Sequence, residues 1–152
     1  MNVKDLKISL FQFCQKFIDQ RSSRIQSQIK ELQIALDSET KSSAGDKHET
    51  GRAMLQLERE KLGQQLAEVQ DLNRVMQKID ISSKKGAAAL GSLVKTAKAN
   101  YFLAISAGEY TSDDSLTYCI SLNTPIGIML LGKTVGETFG FNGNVIKILE
   151  IE

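Results

Sequence analysis

The chain is short of several residue types, and each shortage removes a class of function. It has no tryptophan, one proline, one histidine and two cysteines in 152 residues. Apolar residues make up 41%, low for a single compact core, which suits an extended helical piece joined to a small globular one. The single histidine, His48, begins a His-Glu-x-x-His zinc motif with Glu49, but position 52 is Arg52 and the second ligand is missing. Cys14 and Cys119 have no imidazole partner other than His48, so thiol acyl transfer has no base. Both cysteines fall in segments that read as buried faces, which favours reduced core thiols over a disulfide. No charge of one sign dominates. Residues 1–80 carry 13 basic and 12 acidic side chains and residues 81–152 carry 6 of each, which is not the pattern of a protein gripping nucleic acid through its phosphates. No apolar run approaches the roughly 20 residues of a membrane span. The start, Met-Asn-Val-Lys-Asp, lacks the layout of a signal peptide, so a cytoplasmic location is expected. Gly86 and Gly91 flank Ala-Ala-Ala-Leu with no Lys-Ser/Thr following in register, a poor phosphate loop.

What is present begins with two long helical patterns. Phe11, Ile18, Ile25 and Leu32 recur every seven residues within 5–36, widened by Cys14, Ile29 and Leu36. Leu55, Leu62, Val69 and Met76 do the same within 50–79. No proline interrupts either, because the one proline is Pro125. The stretch Ser42–Gly51, with Gly45 and Gly51, interrupts the period and calls for a turn. An antiparallel hairpin within one chain, and hence a monomer, is expected. A parallel dimer of one longer helix is the alternative that these glycines disfavour.

The period changes after the polar connection Ile81–Gly86, which marks a boundary between a coiled-coil hairpin (1–80) and a second domain (86–152) expected to fold independently. Ala97–Ser106 alternates as a strand, Gly108–Ser115 reads as a polar turn, and Leu116–Leu122 reads as a second strand. Thr124 is an N-cap with Pro125 at the first helical position, and Gly132 ends that short helix. Thr138–Phe141 and Asn144–Ile151 flank an Asn142-Gly143 turn, a hairpin signal. The fold class is α+β: a helical hairpin followed by a small antiparallel sheet with one short helix.

Asp46 and Glu49 stand three apart at the turn. One reading is a capping box, with Asp46 on a backbone N–H and Glu49 reaching back to the cap, helped by the helix dipole. The other is that both carboxylates face outward and share a hard cation such as Mg²⁺. Two carboxylates leave most of an octahedral shell unfilled, so they would be half a site completed by a partner.

At this point the chain resembles the Gre-type transcript-cleavage factors of bacterial RNA polymerase. The tip of those factors reads Gly-Asp-Leu-x-Glu-Asn-Ala-Glu-Tyr, and Gly45-Asp46 and Glu49 stand in the same register. Their second domain carries Ile-Ser-Ile-Asn-Ser-Pro-Leu-Ala-Arg-Ala-Leu-Leu-Gly-Lys-Lys-Val-Gly-Asp, then a hairpin ending Ile-Leu-Glu-Ile. This chain has Ile120-Ser-Leu-Asn-Thr-Pro-Ile-Gly-Ile-Met-Leu-Leu-Gly-Lys-Thr-Val-Gly-Glu137 and Ile148-Leu-Glu-Ile151. The resemblance implies an FKBP-like second domain docked at the rim of the polymerase secondary channel, a coiled coil inside the channel, and indirect contact with nascent RNA. It implies no cofactor of the chain's own and no enzyme activity in isolation. Asp46 and Glu49 would act in trans as catalytic carboxylates, sharing Mg²⁺ with the polymerase during cleavage of backtracked RNA. After Glu49 the family has Asn-Ala-Glu-Tyr, whereas this chain has Thr50-Gly51-Arg52-Ala53, and Lys47 and His48 lie between the acids. A channel-binding regulator without cleavage is therefore the second expectation, and a coiled-coil adaptor unrelated to transcription the third. Arg21, Arg24 and Arg52 are candidates for RNA phosphate contact, against a solvated helix face.

Overall fold

A computed structural model describes residues 2–41 and 45–152, with the side chains at 40, 41 and 45–48 outside that description. Helix α1 runs Val3–Lys41 and α2 runs Gly45–Gln77. Asn2 starts α1: its side-chain oxygen accepts from the Asp5 N–H at 2.8 Å, and the Asp5 carboxylate sits in the positive first turn. α1 runs past the expected 5–36 at both ends, and α2 starts before the expected 50 and ends two residues short of 79. Gly51, expected in the turn, lies inside α2, because a lone glycine costs a helix only about 1 kcal/mol. Of the stretch expected to turn, residues 42–44 lie outside the described residues.

The chain divides into two compact units, Ile18–Asn73 and Met1–Phe17 with Arg74–Glu152. In the first, α1 and α2 pack along the seven-residue stripes. Ile18, Ile25, Leu32 and Leu36 are buried on one helix, and Leu62 and Val69 on the other. Glu39 near the end of α1 lies against Gly51 near the start of α2, the register of an antiparallel hairpin. Leu55, expected in the stripe, is half-buried.

The second unit holds a six-stranded sheet. Its strands are β1 (Leu93–Thr96), β2 (Asn100–Ala104), β3 (Gly108–Ser112), β4 (Ser115–Ser121), β5 (Thr138–Phe141) and β6 (Asn144–Ile151), with α3 (Pro125–Leu130) between β4 and β5. The spatial order is β3-β4-β2-β1-β6-β5. The expected all-antiparallel sheet needs one correction: β2 and β4 pair in parallel. The short link at 105–107 carries the chain past a vacant lane, β3 forms the edge, and β4 returns into the lane beside β2. The segment read as a polar turn, 108–115, is thus mostly edge strand, and the strand read over 97–106 is shorter, with a tight turn before it and a separate β1.

Strand alternation gives the sheet two apolar faces. Val94, Tyr101, Leu103, Ile146 and Ile148 cluster with Leu130 of α3 and with Phe139, whose ring meets Tyr101 edge-on at 6.3 Å. Phe102 and Cys119 point the other way and are also buried. The base of α1 covers that face. Phe13 tilts onto Tyr110 with ring centroids 5.3 Å apart, and Cys14, the next residue, is buried. Leu6, Leu10 and Cys14, spaced by four, form one buried helical stripe. Residues 1–17 thus group with the sheet, whereas the sequence reading drew its boundary at 80–86. None of the described helices is long and apolar enough to cross a membrane.

Lys7 extends this base. It is 4% exposed, and its ammonium donates to the Glu152 backbone carbonyl at 3.1 Å. Burial lowers its pKa below 10.5, against the opposing pull of Glu152 and Asp80. A lysine with a depressed folded pKa costs stability while charged, and that cost fades as pH climbs from the folded value toward 10.5.

Two outcomes follow from this packing. Leu10→Ala should lower unfolding free energy by about 2–5 kcal/mol, and the 86–152 fragment should be less stable still, because its second face is bare. Denaturant unfolding of both checks this, and an unchanged midpoint for Leu10→Ala would show that the α1 contact contributes nothing. For Lys7→Met, thermal unfolding should be higher than for the parent at neutral pH, with the gap closing as pH approaches 10.5. A gap that is constant with pH would contradict the burial argument.

Candidate functional site

Two places in the fold carry the sequence candidates, one in each unit. In the hairpin unit, α2 begins at Gly45, so Asp46 lies in its first turn and Glu49 one turn later. Spacing of three puts the two positions on one helix face. Glu49 is exposed to solvent. The side chains of Asp46, Lys47 and His48 are outside the described residues, so the capping and metal-ligand roles proposed for Asp46 fall there too.

A third acid, which periodicity did not flag, joins this region. The Glu39 carboxylate sits 3.5–3.6 Å from where a Cβ on Gly51 would stand, bringing negative charge from α1 alongside α2. The sequence signal was Gly51 itself, a helix-interior glycine whose usual reason is something approaching closely. Among the described residues, no group of three or more His, Cys, Asp or Glu is arranged to hold a metal ion. The donor chemistry of the tip is carboxylate oxygen, which suits a hard cation such as Mg²⁺, but Asp46 and Glu49 supply at most a part of its six ligands.

The arginine candidates separate by surroundings. Arg24 is exposed and lines a shallow open groove with Asp19, Gln20, Ser23, Ser27, Gln28 and Glu31, where acids offset its charge. That is a solvated mixed face rather than a phosphate track. Arg21 and Arg52 are half-buried.

In the sheet unit, the run 120–137 folds as a locally determined surface. Thr124 caps α3: its hydroxyl accepts from the Gly127 N–H at 3.1 Å and donates to the Ser121 carbonyl at 2.7 Å. Pro125 occupies the first turn, as expected. Gly127 is required by close approach. A Cβ there would collide with the Ser121 carbonyl oxygen and stand 2.9 Å from both Leu122 Cα and Thr124 Oγ1. Gly132, at φ +83°, turns the chain out of the helix, and its N–H donates to the Ala88 carbonyl at 2.8 Å. Beyond it, the Glu137 carboxylate accepts from the Thr134 N–H at 2.6 Å and from the Thr134 hydroxyl at 3.1 Å. Those bonds, the backbone one first, hold Glu137 below the usual carboxylate range. With Gly127 and Leu130 turned inward, α3 and the turn after it present Ile128, Leu131 and Val135 to solvent, at 63%, 52% and 58% exposure. Three large aliphatic side chains held outward by a hydrogen-bonded loop make a candidate contact surface.

No protein-family model matches the chain. No curated protein matches it. Among solved structures it is similar to the transcription factor Gfh1, at 18% identity, over 88% of this chain and 90% of that one, with a TM-score of 0.34. A likeness at that score carries no argument about function.

Gly127→Ala should unfold or rearrange the 120–132 loop. The expected outcome is a destabilisation of at least about 2 kcal/mol, of the kind that overpacking against fixed backbone brings. Thermal unfolding together with the amide spectrum checks it. A stable, unperturbed variant would mean the loop has room that this geometry denies it.

Proposed function

We propose that the chain is an RNA polymerase-binding factor of the Gre type. Its sheet unit docks at the rim of the secondary channel, its helical hairpin enters, and its tip stimulates cleavage of backtracked RNA by the polymerase. The observation that carries the reading is the acid pair Asp46 and Glu49, one turn apart at the start of α2, at the closed end of an intramolecular helical hairpin. The segment 120–137, which matches the family run residue by residue over much of its length, supports it from the other unit.

The mechanism asks little chemistry of this chain. From Ile18 to Lys41, α1 rises roughly 35 Å, enough for a paired-helix probe to reach into a narrow channel. Ile128, Leu131 and Val135 are the apolar contacts proposed for the rim. At the tip, Asp46 and Glu49 contribute carboxylate oxygens beside those of the polymerase. A Mg²⁺ shared among them would supply activation of water at the RNA phosphodiester. The chain acts as a monomer and brings no cofactor of its own.

The second reading, a channel occupant without cleavage, rests on Thr50-Gly51-Arg52-Ala53 standing where the family has Asn-Ala-Glu-Tyr. One experiment separates the two. Asp46→Asn combined with Glu49→Gln keeps side-chain size and N-capping capacity while removing the charge. In assays on stalled complexes with Mg²⁺ present, the double variant should lose stimulated cleavage by roughly a hundredfold or more while competing for polymerase about as well as the parent. Equal cleavage by both proteins would reduce the acids to helix caps. A parent that competes for the channel but never cleaves establishes the second reading, and one that does not bind polymerase removes both.

A further inference from the structure

Cys14 and Cys119 are buried, and nothing in the proposed function uses them. They come from elements far apart in sequence, the base of α1 and the middle of β4, and are 0% and 2% exposed. The Cys14 side chain acts directly on the Cys119 thiol, so the two meet under the base of α1. The neighbourhood fixes that meeting independently. Phe13, the residue before Cys14, rests on Tyr110 of β3 at 5.3 Å, and β3 is paired with β4 so that Tyr110 faces Thr117 and Gly108 faces Cys119. Two successive residues of α1 thus land on two adjacent strands. Gly108, opposite Cys119, brings no side chain between helix and strand. Thr117, two residues before Cys119 on the same face, has a buried hydroxyl without a hydrogen-bond partner among the described residues, so the packing here is not saturated by other polar contacts. A helix and the strand beneath it that bring two buried thiols together can be bridged where the Cβ atoms come within about 3.5–4.5 Å.

We propose that Cys14 and Cys119 are a disulfide-forming pair, which a low-molecular-weight disulfide of the glutathione class converts into a covalent lock between α1 and β4. The exchange runs in two steps. One cysteine, as thiolate, attacks a sulfur of the oxidant, breaks its S–S bond and releases one small thiol after proton uptake. The second cysteine loses its proton and attacks the protein sulfur of that mixed disulfide, forming the Cys14–Cys119 bond and releasing the second small thiol. The protein pair is oxidised by two electrons and the reagent reduced by two.

The surroundings set the trigger. Contact with Cys14, which favours the protonated S–H of Cys119, and then burial push the Cys119 thiol well above its ordinary pKa, so the closed unit holds it protonated and unreactive. Exchange therefore begins when the base of α1 lifts from the sheet, and the lock forms on reclosing. The pair acts as a latch that oxidation sets when the contact loosens.

The test uses the full chain with oxidised glutathione, read by intact mass and peptide mapping without reductant. The expected product is lighter by the two lost hydrogens, contains a Cys14–Cys119 linked peptide, and unfolds about 5 °C or more higher until reductant is added. Exchange should speed up several-fold in urea below the unfolding transition. Cys14→Ala and Cys119→Ala, tested separately in case one fails to fold, should each stop at a single glutathione adduct with no gain in midpoint. Persistent mixed adducts on the parent, links between chains, or a linked product whose midpoint is unchanged or lower would overturn the proposal.

Discussion

The second apolar face of the sheet has to be covered, and the rest of the structure follows from how that is done. A small six-stranded sheet with one short helix can bury only one side. Phe102 and Cys119 would otherwise face water, at a cost of about 1.5–3 kcal/mol for a side chain the size of Phe102 alone. The base of α1 meets that side of the sheet where Phe13 rests on Tyr110, and Leu6, Leu10 and Cys14 are buried along the same stretch of helix. That single choice makes α1 serve two cores: its first turns belong with the sheet, and its later turns belong to the hairpin. It also explains why Lys7 is tolerated in a buried place, since its stem follows the apolar contact and its ammonium reaches the Glu152 carbonyl at the end of β6.

The proposed function asks for two things that this arrangement separates. Binding needs a fixed apolar surface, and Thr124, Gly127 and Gly132 fix one by local hydrogen bonds and close approach. Chemistry needs carboxylates that are free to meet a metal, and Glu49 is exposed near the start of α2. A carboxylate pair sunk into a core would have its charge suppressed or fully satisfied, and neither condition suits a shared ligand. Glu39 beside Gly51 brings a carboxylate from the other helix alongside α2.

Much of this was legible in the residues. Seven-residue spacing located both helices and their buried stripe, because burial on a helix leaves a periodic trace. The Asn142-Gly143 turn and the Thr124-Pro125 helix start were readable because their backbone geometry is set locally, and both stand as expected. The edge strand β3 was not readable. Gly-Glu-Tyr-Thr-Ser is polar on both sides, and a strand held by backbone pairing alone shows no alternation. β1 was missed because four residues are too few to reveal a period. The parallel pairing of β2 with β4 was hidden because strand order is a tertiary property with no local mark. The role of residues 1–17 was hidden for a related reason. Leu6, Leu10 and Cys14 look like more of the coiled-coil stripe, and nothing in their spacing tells that their partner is a sheet. At the tip, the acids were visible in sequence, but Glu39 was not, since its relevance depends on which helix position comes opposite.

The seven-residue spacing of the hairpin has one more implication. Ile18, Ile25 and Leu32 on one arm and Leu62 and Val69 on the other repeat in equal steps, and the turn simply joins them. Adding or removing seven residues on both arms leaves every remaining stripe residue facing the same way. Each such step changes the distance from Ile18 to the turn by about 10 Å and leaves the sheet unit untouched. The hairpin is thus a ruler graduated in heptads, whose length can change in fixed steps without altering its packing.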